Sequence, residues 1–229
     1  MSNKRISELV IQAYQALDQG SYDEAQQNFN KILVLDSNNY DAHKGIMIIY
    51  HDTEQFDRSI EIADSLISID PDDLEVFLYK ANCFNALEHF DESSELFNHI
   101  LEKEPANPQA LHGRSIVKVY QEDIDGALDD IEKSIDGGNR NEYSLNHRGV
   151  INLTLGNYEK SLEDFARGAT FSYYEFVEDK IYNDEEWRKR NKNRSLPDRP
   201  EWIAPLINKI TPLEGQMEYR YAGYWEEGY

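Results

Sequence analysis

The sequence predicts an all-α fold, a solenoid of stacked helix hairpins, and three observations support this prediction. A six-residue motif begins at positions 20, 54, 88, 122 and 156, so each step along the chain is 34 residues without insertion. Apolar residues recur between the motifs at helical spacing, as in Leu9, Ala13 and Leu17. Two of the repeats end at Pro71 and Pro105, and proline ends a helix because it lacks the N–H and clashes with the preceding turn.

Further positions keep the same register. An aromatic residue or Ile fills the gap between the two helices of a hairpin, and a small residue three positions later lets the helices approach closely. A third, mostly bulky apolar position follows four residues after the small one. The three columns are Tyr22, Phe56, Phe90, Ile124 and Tyr158; Ala25, Ser59, Ser93, Ala127 and Ser161; and Phe29, Ala63, Phe97, Ile131 and Phe165.

This pattern resembles the tetratricopeptide repeat (TPR). The resemblance implies a right-handed α-solenoid over residues 1–175, built from five hairpins at 6–39, 40–73, 74–107, 108–141 and 142–175. Beyond the solenoid we predict a capping helix at 176–192 and an irregular, aromatic-rich extension at 193–229. The fourth repeat ends in Gly137-Gly138-Asn139 without a proline, which indicates a looser joint.

The chain after the repeats differs in composition from the solenoid. Its bases form a cluster that we expect to pair with acids of the solenoid rather than with nucleic acid: Arg188, Lys189, Arg190, Lys192, Arg194 and Arg199. The last stretch is too aromatic for a disordered tail, with Tyr219, Tyr221, Tyr224, Trp225 and Tyr229. We expect the extension to pack on the solenoid; the alternative is a second surface for a partner.

In the TPR family the first helices of successive repeats line a concave groove that holds partners. The resemblance therefore implies a partner-binding surface that is tyrosine-rich, amide-bearing and neutral rather than cationic. Its predicted members are Tyr14, Lys44, Ile48, His51, Tyr79, Asn82, Asn85, His112, Ile116, Tyr120, Tyr143, Asn146 and His147. No register of the repeats reproduces the Lys/Asn/Arg clamp with which chaperone-binding members hold a C-terminal carboxylate, so we expect no such co-chaperone role.

The charge limits the classes of partner. The 229 residues carry 44 acids and 23 bases, a net charge of −21, and residues 1–175 account for −19 of it. Such a chain repels nucleic acid and anionic membranes and favours a neutral or basic protein. A second explanation of the acidity is that it only keeps the protein soluble. The chain contains no apolar run of signal or membrane length, and we expect a cytoplasmic protein.

The sequence contains no pattern typical of catalysis or of metal binding. His51, His112 and His147 fall in successive repeats, too far apart for one zinc ion. Asp123-Ile-Asp125 lacks the rest of a calcium loop, and nothing marks the single Cys83 as activated. Acid pairs on the second helices, such as Asp129-Asp130, are expected on a solvated convex face. We therefore expect no enzyme, no cofactor and no metal.

Two functions fit these observations. The first is a protein–protein interaction scaffold or adaptor that binds a partner polypeptide in the groove. The second is an acidic immunity protein or dedicated chaperone that neutralises a basic toxin or effector. A solenoid that assists an enzyme within a complex is a third possibility, and the oligomeric state is not predicted.

Overall fold

The computed structural model describes residues 2–168, which are helical apart from short turns. The ten helices are α1 (Ser2–Asp18), α2 (Tyr22–Leu35), α3 (Tyr40–Asp52), α4 (Phe56–Ile69), α5 (Leu74–Ala86), α6 (Phe90–Lys103), α7 (Pro108–Tyr120), α8 (Ile124–Asp136), α9 (Glu142–Thr154) and α10 (Tyr158–Arg167). They pair in order as five hairpins, one in each predicted repeat, so the predicted all-α hairpin architecture is confirmed. The predicted capping helix at 176–192 and the extension at 193–229 lie outside the described residues.

The chain divides into two compact units, Met1–Gly138 and Asn139–Tyr229. The first contains four hairpins, α1 to α8, in which each helix from α1 to α7 contacts the next one along the chain. The described part of the second is one hairpin, α9 with α10. The division falls inside the segment Gly137-Gly138-Asn139, where the fourth repeat lacks the closing proline. None of the helices over residues 2–167 combines the length and the apolar character that a membrane crossing requires.

The first position of the six-residue motif is a left-handed residue that ends the first helix of each hairpin. Gly20, Glu54, Glu88, Glu122 and Gly156 have φ values of 69°, 60°, 61°, 61° and 73°. The amide after each of them donates to a carbonyl five residues back, as from Ser21 to Ala16 at 2.8 Å. This is the hydrogen-bond pattern with which a left-handed residue closes a helix, and glycine adopts it without steric strain.

The first helix of each later repeat has a side-chain cap at its N-terminus. Asn39, Asn107 and Asn141 accept the backbone N–H three residues on, at 2.9 to 3.1 Å, and Asp73 accepts the N–H of Glu75 at 3.2 Å. These positions are also 34 residues apart. Each cap satisfies an N–H that the helix itself leaves unpaired, which fixes where the helix begins.

Inside each hairpin the small column faces a second column twelve residues earlier. Ser59 donates its hydroxyl to the carbonyl of Met47 at 3.0 Å, and Ser93 donates to Ala81 at 2.9 Å. The fourth repeat has alanine at this position, and there the facing residue donates instead, from Ser115 to the carbonyl of Ala127 at 2.8 Å. The buried hydroxyl is thus satisfied from either helix, and the two helices remain in close contact.

Adjacent repeats fit together by pairing a large side chain with a small one. Phe29 is fully buried, and a Cβ added at Gly45 of the next repeat would overlap its ring. The same relation joins Phe97 to Gly113. At the corresponding positions of the second and third repeats the sizes are exchanged, with Ala63 opposite Tyr79 in the repeat register.

One acid of the second helices is not where the sequence analysis placed it. Asp129 lies on the solvated face as expected, with a side chain 58% exposed. Asp130 was expected there too, but that was wrong, because its side chain is only 1% exposed. The carboxylate of Asp130 accepts hydrogen bonds from Nε and Nη2 of Arg114, at 2.7 and 2.8 Å, and pairs with Lys118 at 2.9 Å. Burial raises the pKa of Asp130, but these three cation contacts outweigh burial and hold the pKa below its usual value.

Candidate functional site

The first helices of repeats one to three border a cleft of about 430 Å³. The helices α1 and α3 are neighbours, as are α3 and α5. The cleft is lined by Tyr14, Leu17, Asp18, Gly20, Tyr22, Ile48, Asp52, Glu75 and Tyr79. Every position but Gly20 and Tyr22 belongs to a first helix, so the cleft lies on the surface that the sequence analysis assigned to partner binding.

Two tyrosines on this surface are held in place by their neighbours. Tyr14 packs edge-on against Phe29 with ring centroids 5.3 Å apart, and its hydroxyl donates to the carbonyl of Asp41 at 3.1 Å. Tyr79 packs edge-on against His51 with centroids 5.0 Å apart. Both rings are half-buried. They therefore present rigid aromatic area to the cleft with little conformational entropy left to lose on binding.

Three carboxylates line the same cleft, and among residues 2–168 no lysine or arginine lines it. Asp52 pairs with Nδ1 of its neighbour His51 at 2.8 Å. Glu75 pairs at 2.7 Å with Lys44, which is also 2.7 Å from Asp73. Asp18 forms no ion pair within residues 2–168.

The negative potential of the cleft acts on its tyrosine hydroxyls. Burial, followed by the charges of Asp52, Glu75 and Asp18, raises the pKa of Tyr79 to about 12. Burial and the nearby acids Asp41 and Glu75 likewise raise the pKa of Tyr14. Both shifts have the sign expected where added negative charge is disfavoured, and the same potential favours a positive charge.

The structure brings together part of the predicted surface. Tyr14, Ile48 and Tyr79 line the cleft. His51 packs edge-on against Tyr79, whereas the ammonium group of Lys44 is held between Asp73 and Glu75 and its side chain is only 15% exposed. Lys44 is therefore neutralised by its own neighbours rather than offered to a partner as a free cation.

Five predicted residues continue the surface along α5 and α7: Asn82, Asn85, His112, Ile116 and Tyr120. Tyr120 is 45% exposed and stacks on Phe90 with centroids 4.2 Å apart. The pKa of His112 is lowered to about 4 by burial, so this ring is neutral near pH 7. The other four are partly or largely accessible and present aromatic, amide and aliphatic groups.

The last three predicted residues belong to the second unit. Tyr143 is 49% exposed, Asn146 is half-buried, and His147 is only 3% exposed. The side chain of His147 is therefore part of the interior of that unit and contributes little surface.

Sequence analysis missed the charge of this surface. It described the lining as neutral, but Asp18 and Glu75 join Asp52 and make the cleft acidic. The repeat register contained a signal for this acidity. Asp18 and Asp52 lie thirteen positions into their repeats, in the same column as Tyr120, which was predicted to lie on the surface. Within the described residues no group of three or more His, Cys, Asp or Glu side chains is arranged to hold a metal ion.

Comparison with known proteins agrees with the fold. A tetratricopeptide-repeat family model matches residues 16–77. No curated protein matches the sequence at a significant level. Among solved structures, PilF from Pseudomonas aeruginosa is similar at a TM-score of 0.70 and 12% identity, over 97% of this chain and 98% of that one.

Two further structures have the same fold at similar identity. The thermophilic TPR protein TTC0263 from Thermus thermophilus has a TM-score of 0.63 and 13% identity, over 89% of this chain and 99% of that one. MamA from Desulfovibrio magneticus has a TM-score of 0.59 and 13% identity, over 74% of this chain and 96% of that one.

Proposed function

We propose that this chain, which a tetratricopeptide-repeat family model matches over residues 16–77, is an interaction scaffold or adaptor that binds a partner polypeptide along its first helices. The observation that carries the proposal is the cleft between α1, α3 and α5, where rigid tyrosines border a space of about 430 Å³. A cleft of this size takes one or two side chains of a bound segment, and aromatic lining is typical of protein-binding surfaces. The partner-binding residues are those predicted along α1, α3, α5 and α7, acting in the cytoplasm without a cofactor.

The test is site-specific photocrosslinking in the native host. A photoreactive phenylalanine replaces Tyr120 or Ile116 on α7, and in matched control variants it replaces Val34 or Glu61 on the second helices, both of which are exposed. We expect the same polypeptide to be crosslinked from both α7 positions and from neither control. Crosslinks of equal yield from all four positions, or from the second helices alone, would refute binding along the first helices.

A second candidate function is neutralisation of a basic toxin or effector, as an immunity protein or dedicated chaperone. Two observations favour it: the net charge of −19 within residues 1–175 and the three carboxylates of the cleft. It differs from the scaffold proposal in its salt dependence. A neutraliser binds through many exposed charges and loses affinity for the crosslinked partner steeply between about 0.05 and 0.5 M salt, because those charges are then screened. A scaffold that binds through tyrosines and a few charges loses much less over the same range.

A further inference from the structure

We propose that the cleft between α1, α3 and α5 is a receptor for a single basic side chain, arginine above all, of the bound partner segment. This inference rests on the proposed function and specifies the chemistry that the surface recognises. The charges are opposite to those of the carboxylate clamp, because here the cleft carries the negative charge and the partner carries the positive charge.

The first support is the combination of groups around the cleft. Tyr14, Tyr22 and Tyr79 supply aromatic rings, and Asp18, Asp52 and Glu75 supply carboxylates, within one space. A guanidinium group uses both at once, because its face stacks on aromatic rings while its edge donates to carboxylate oxygens. An ammonium group is attracted by the same charges but lacks the planar fork, so lysine is expected to bind more weakly than arginine.

The second support is the place of two of these acids on their helices. Asp18 is the last residue of α1, and Asp52 is the last residue of α3. The C-terminal end of a helix carries a partial negative charge, so a carboxylate there is destabilising. In the third and fourth repeats the same column holds Ala86 and Tyr120. Asp18 and Asp52 therefore occupy positions that helix stability disfavours and that the repeat does not require.

The third support is the state of the carboxylates. Asp18 has no ion-pair partner within residues 2–168. Asp52 contacts His51, an imidazole rather than a permanent cation, and only Glu75 is neutralised, by Lys44. Residues 2–168 thus leave at least one full negative charge beside the rings, and an arriving guanidinium group supplies a countercharge.

The test uses the full chain and a heptapeptide, Gly-Ser-Gly-Arg-Gly-Ser-Gly-amide, with an uncharged fluorophore, in binding followed by fluorescence anisotropy. The matched control peptide contains citrulline, which has the shape of arginine without its charge. We expect the citrulline peptide to bind at least about tenfold more weakly, and added salt to remove the difference. Equal binding of the two peptides at low salt would overturn the proposal.

Variants then locate the binding. Asp18→Asn/Asp52→Asn is expected to weaken binding of the arginine peptide about tenfold, while Glu61→Gln/Glu95→Gln, with the same change in net charge at exposed sites on α4 and α6, changes it less than about twofold. Tyr79→Phe keeps the ring and is expected to keep affinity, whereas Tyr79→Leu loses it. Equal effects of the two acid pairs would show that only net charge matters and would overturn the proposal.

The pocket variant also has a readout that does not depend on the peptide. Asp18→Asn/Asp52→Asn is expected to raise the melting temperature, since it removes two unfavourable helix-terminal charges, and the control pair to leave it within a degree or two. A lower melting temperature for Asp18→Asn/Asp52→Asn would contradict the second support.

The chain's own bases are the competing occupant. A full-length variant replaces six of them with glutamine: Arg188, Lys189, Arg190, Lys192, Arg194 and Arg199. Unchanged affinity for the arginine peptide supports an open cleft that awaits a partner, whereas a tenfold gain would mean that the chain fills its own cleft and would overturn the proposal. Crosslinks from α7 without arginine-selective binding would leave the scaffold proposal standing and sink this one.

Discussion

The hairpin interior and the first-helix surface of this protein follow different rules. Inside the hairpins the packing columns recur at 34-residue spacing, and some departures are matched by a complement, as where Ser115 supplies the hydroxyl that Ala127 lacks. On the first-helix surface one column is an acid in two repeats, alanine in the third and tyrosine in the fourth: Asp18, Asp52, Ala86 and Tyr120. The interior is constrained by packing, so the departures from periodicity on the surface are where binding chemistry is to be sought.

The largest expected effect tests whether the interior obeys a rule of complementary size. Phe29→Ala leaves a cavity and is expected to lower the free energy of unfolding by about 3–5 kcal/mol. Gly45→Tyr alone is expected to lower the free energy of unfolding by at least as much, because the new side chain overlaps the ring of Phe29. The double variant Phe29→Ala/Gly45→Tyr reproduces the Ala63 and Tyr79 arrangement of the next repeat. Measured by urea denaturation, it is expected to recover at least half of the free energy of unfolding that the two single variants lose together. Strictly additive losses would refute the rule.

A second prediction compares two ion pairs of the same repeat. Arg114→Gln leaves the buried carboxylate of Asp130 with one cation fewer and is expected to lower stability by about 3 kcal/mol. Lys133→Gln breaks the pair with Asp129, in which both side chains are more than half exposed, and is expected to change stability by less than about 0.5 kcal/mol. Denaturation of both variants under one condition measures the difference, and losses of equal size would contradict the assignment of Asp130 to the interior.

A third prediction uses acid. The pKa of His112 is about 4 in the folded chain against an ordinary value of 6.5, so between these values the unfolded chain binds more protons. The contribution of the neutral His112 to the free energy of unfolding is therefore full above about pH 6.5. It falls as the pH drops towards 4, by up to about 3 kcal/mol. His112→Gln is expected to flatten this part of the pH profile, and His89→Gln, at an exposed site, is expected to leave it intact. A profile unchanged by His112→Gln would be inconsistent with a neutral, buried ring.

The smallest expected effect concerns the turns. Glu88 has φ of 61°, where the Gly20 and Gly156 turns use glycine. Glu88→Gly removes the left-handed strain but adds freedom to the unfolded chain, so a net gain of about 0.5 kcal/mol is expected. Glu95→Gly, within α6, is expected to lose about 1 kcal/mol. Thermal unfolding distinguishes them, and a loss at Glu88 as large as that at Glu95 would show that the turn does not favour glycine.

The sequence was enough to predict the repeats and their helices, because packing imposes the same residue types every 34 positions. It did not reveal that Glu54, Glu88 and Glu122 are left-handed, since glutamate is rare in that conformation and only register with Gly20 and Gly156 points to it. It also did not reveal that Asp130 is buried, because its cation Arg114 lies on another helix.

The candidate surface was predicted in part. The register places Tyr14, Ile48 and Tyr79 on the first helices, and the structure has them around one cleft. The charge of that cleft could not be derived from any single repeat, because each of its three acids comes from a different helix. Lys44 was predicted as a member of this surface, and only the structure shows its ammonium group held between Asp73 and Glu75.

The most direct test of the account is to map where the arginine heptapeptide binds, by titrating it into the isotope-labelled full chain and following the backbone amide signals by NMR. The account predicts that the largest shifts fall in residues 17–22, 48–52 and 75–79, and that the citrulline peptide leaves these signals in place. Largest shifts on the second helices, or equal shifts with both peptides, would contradict it.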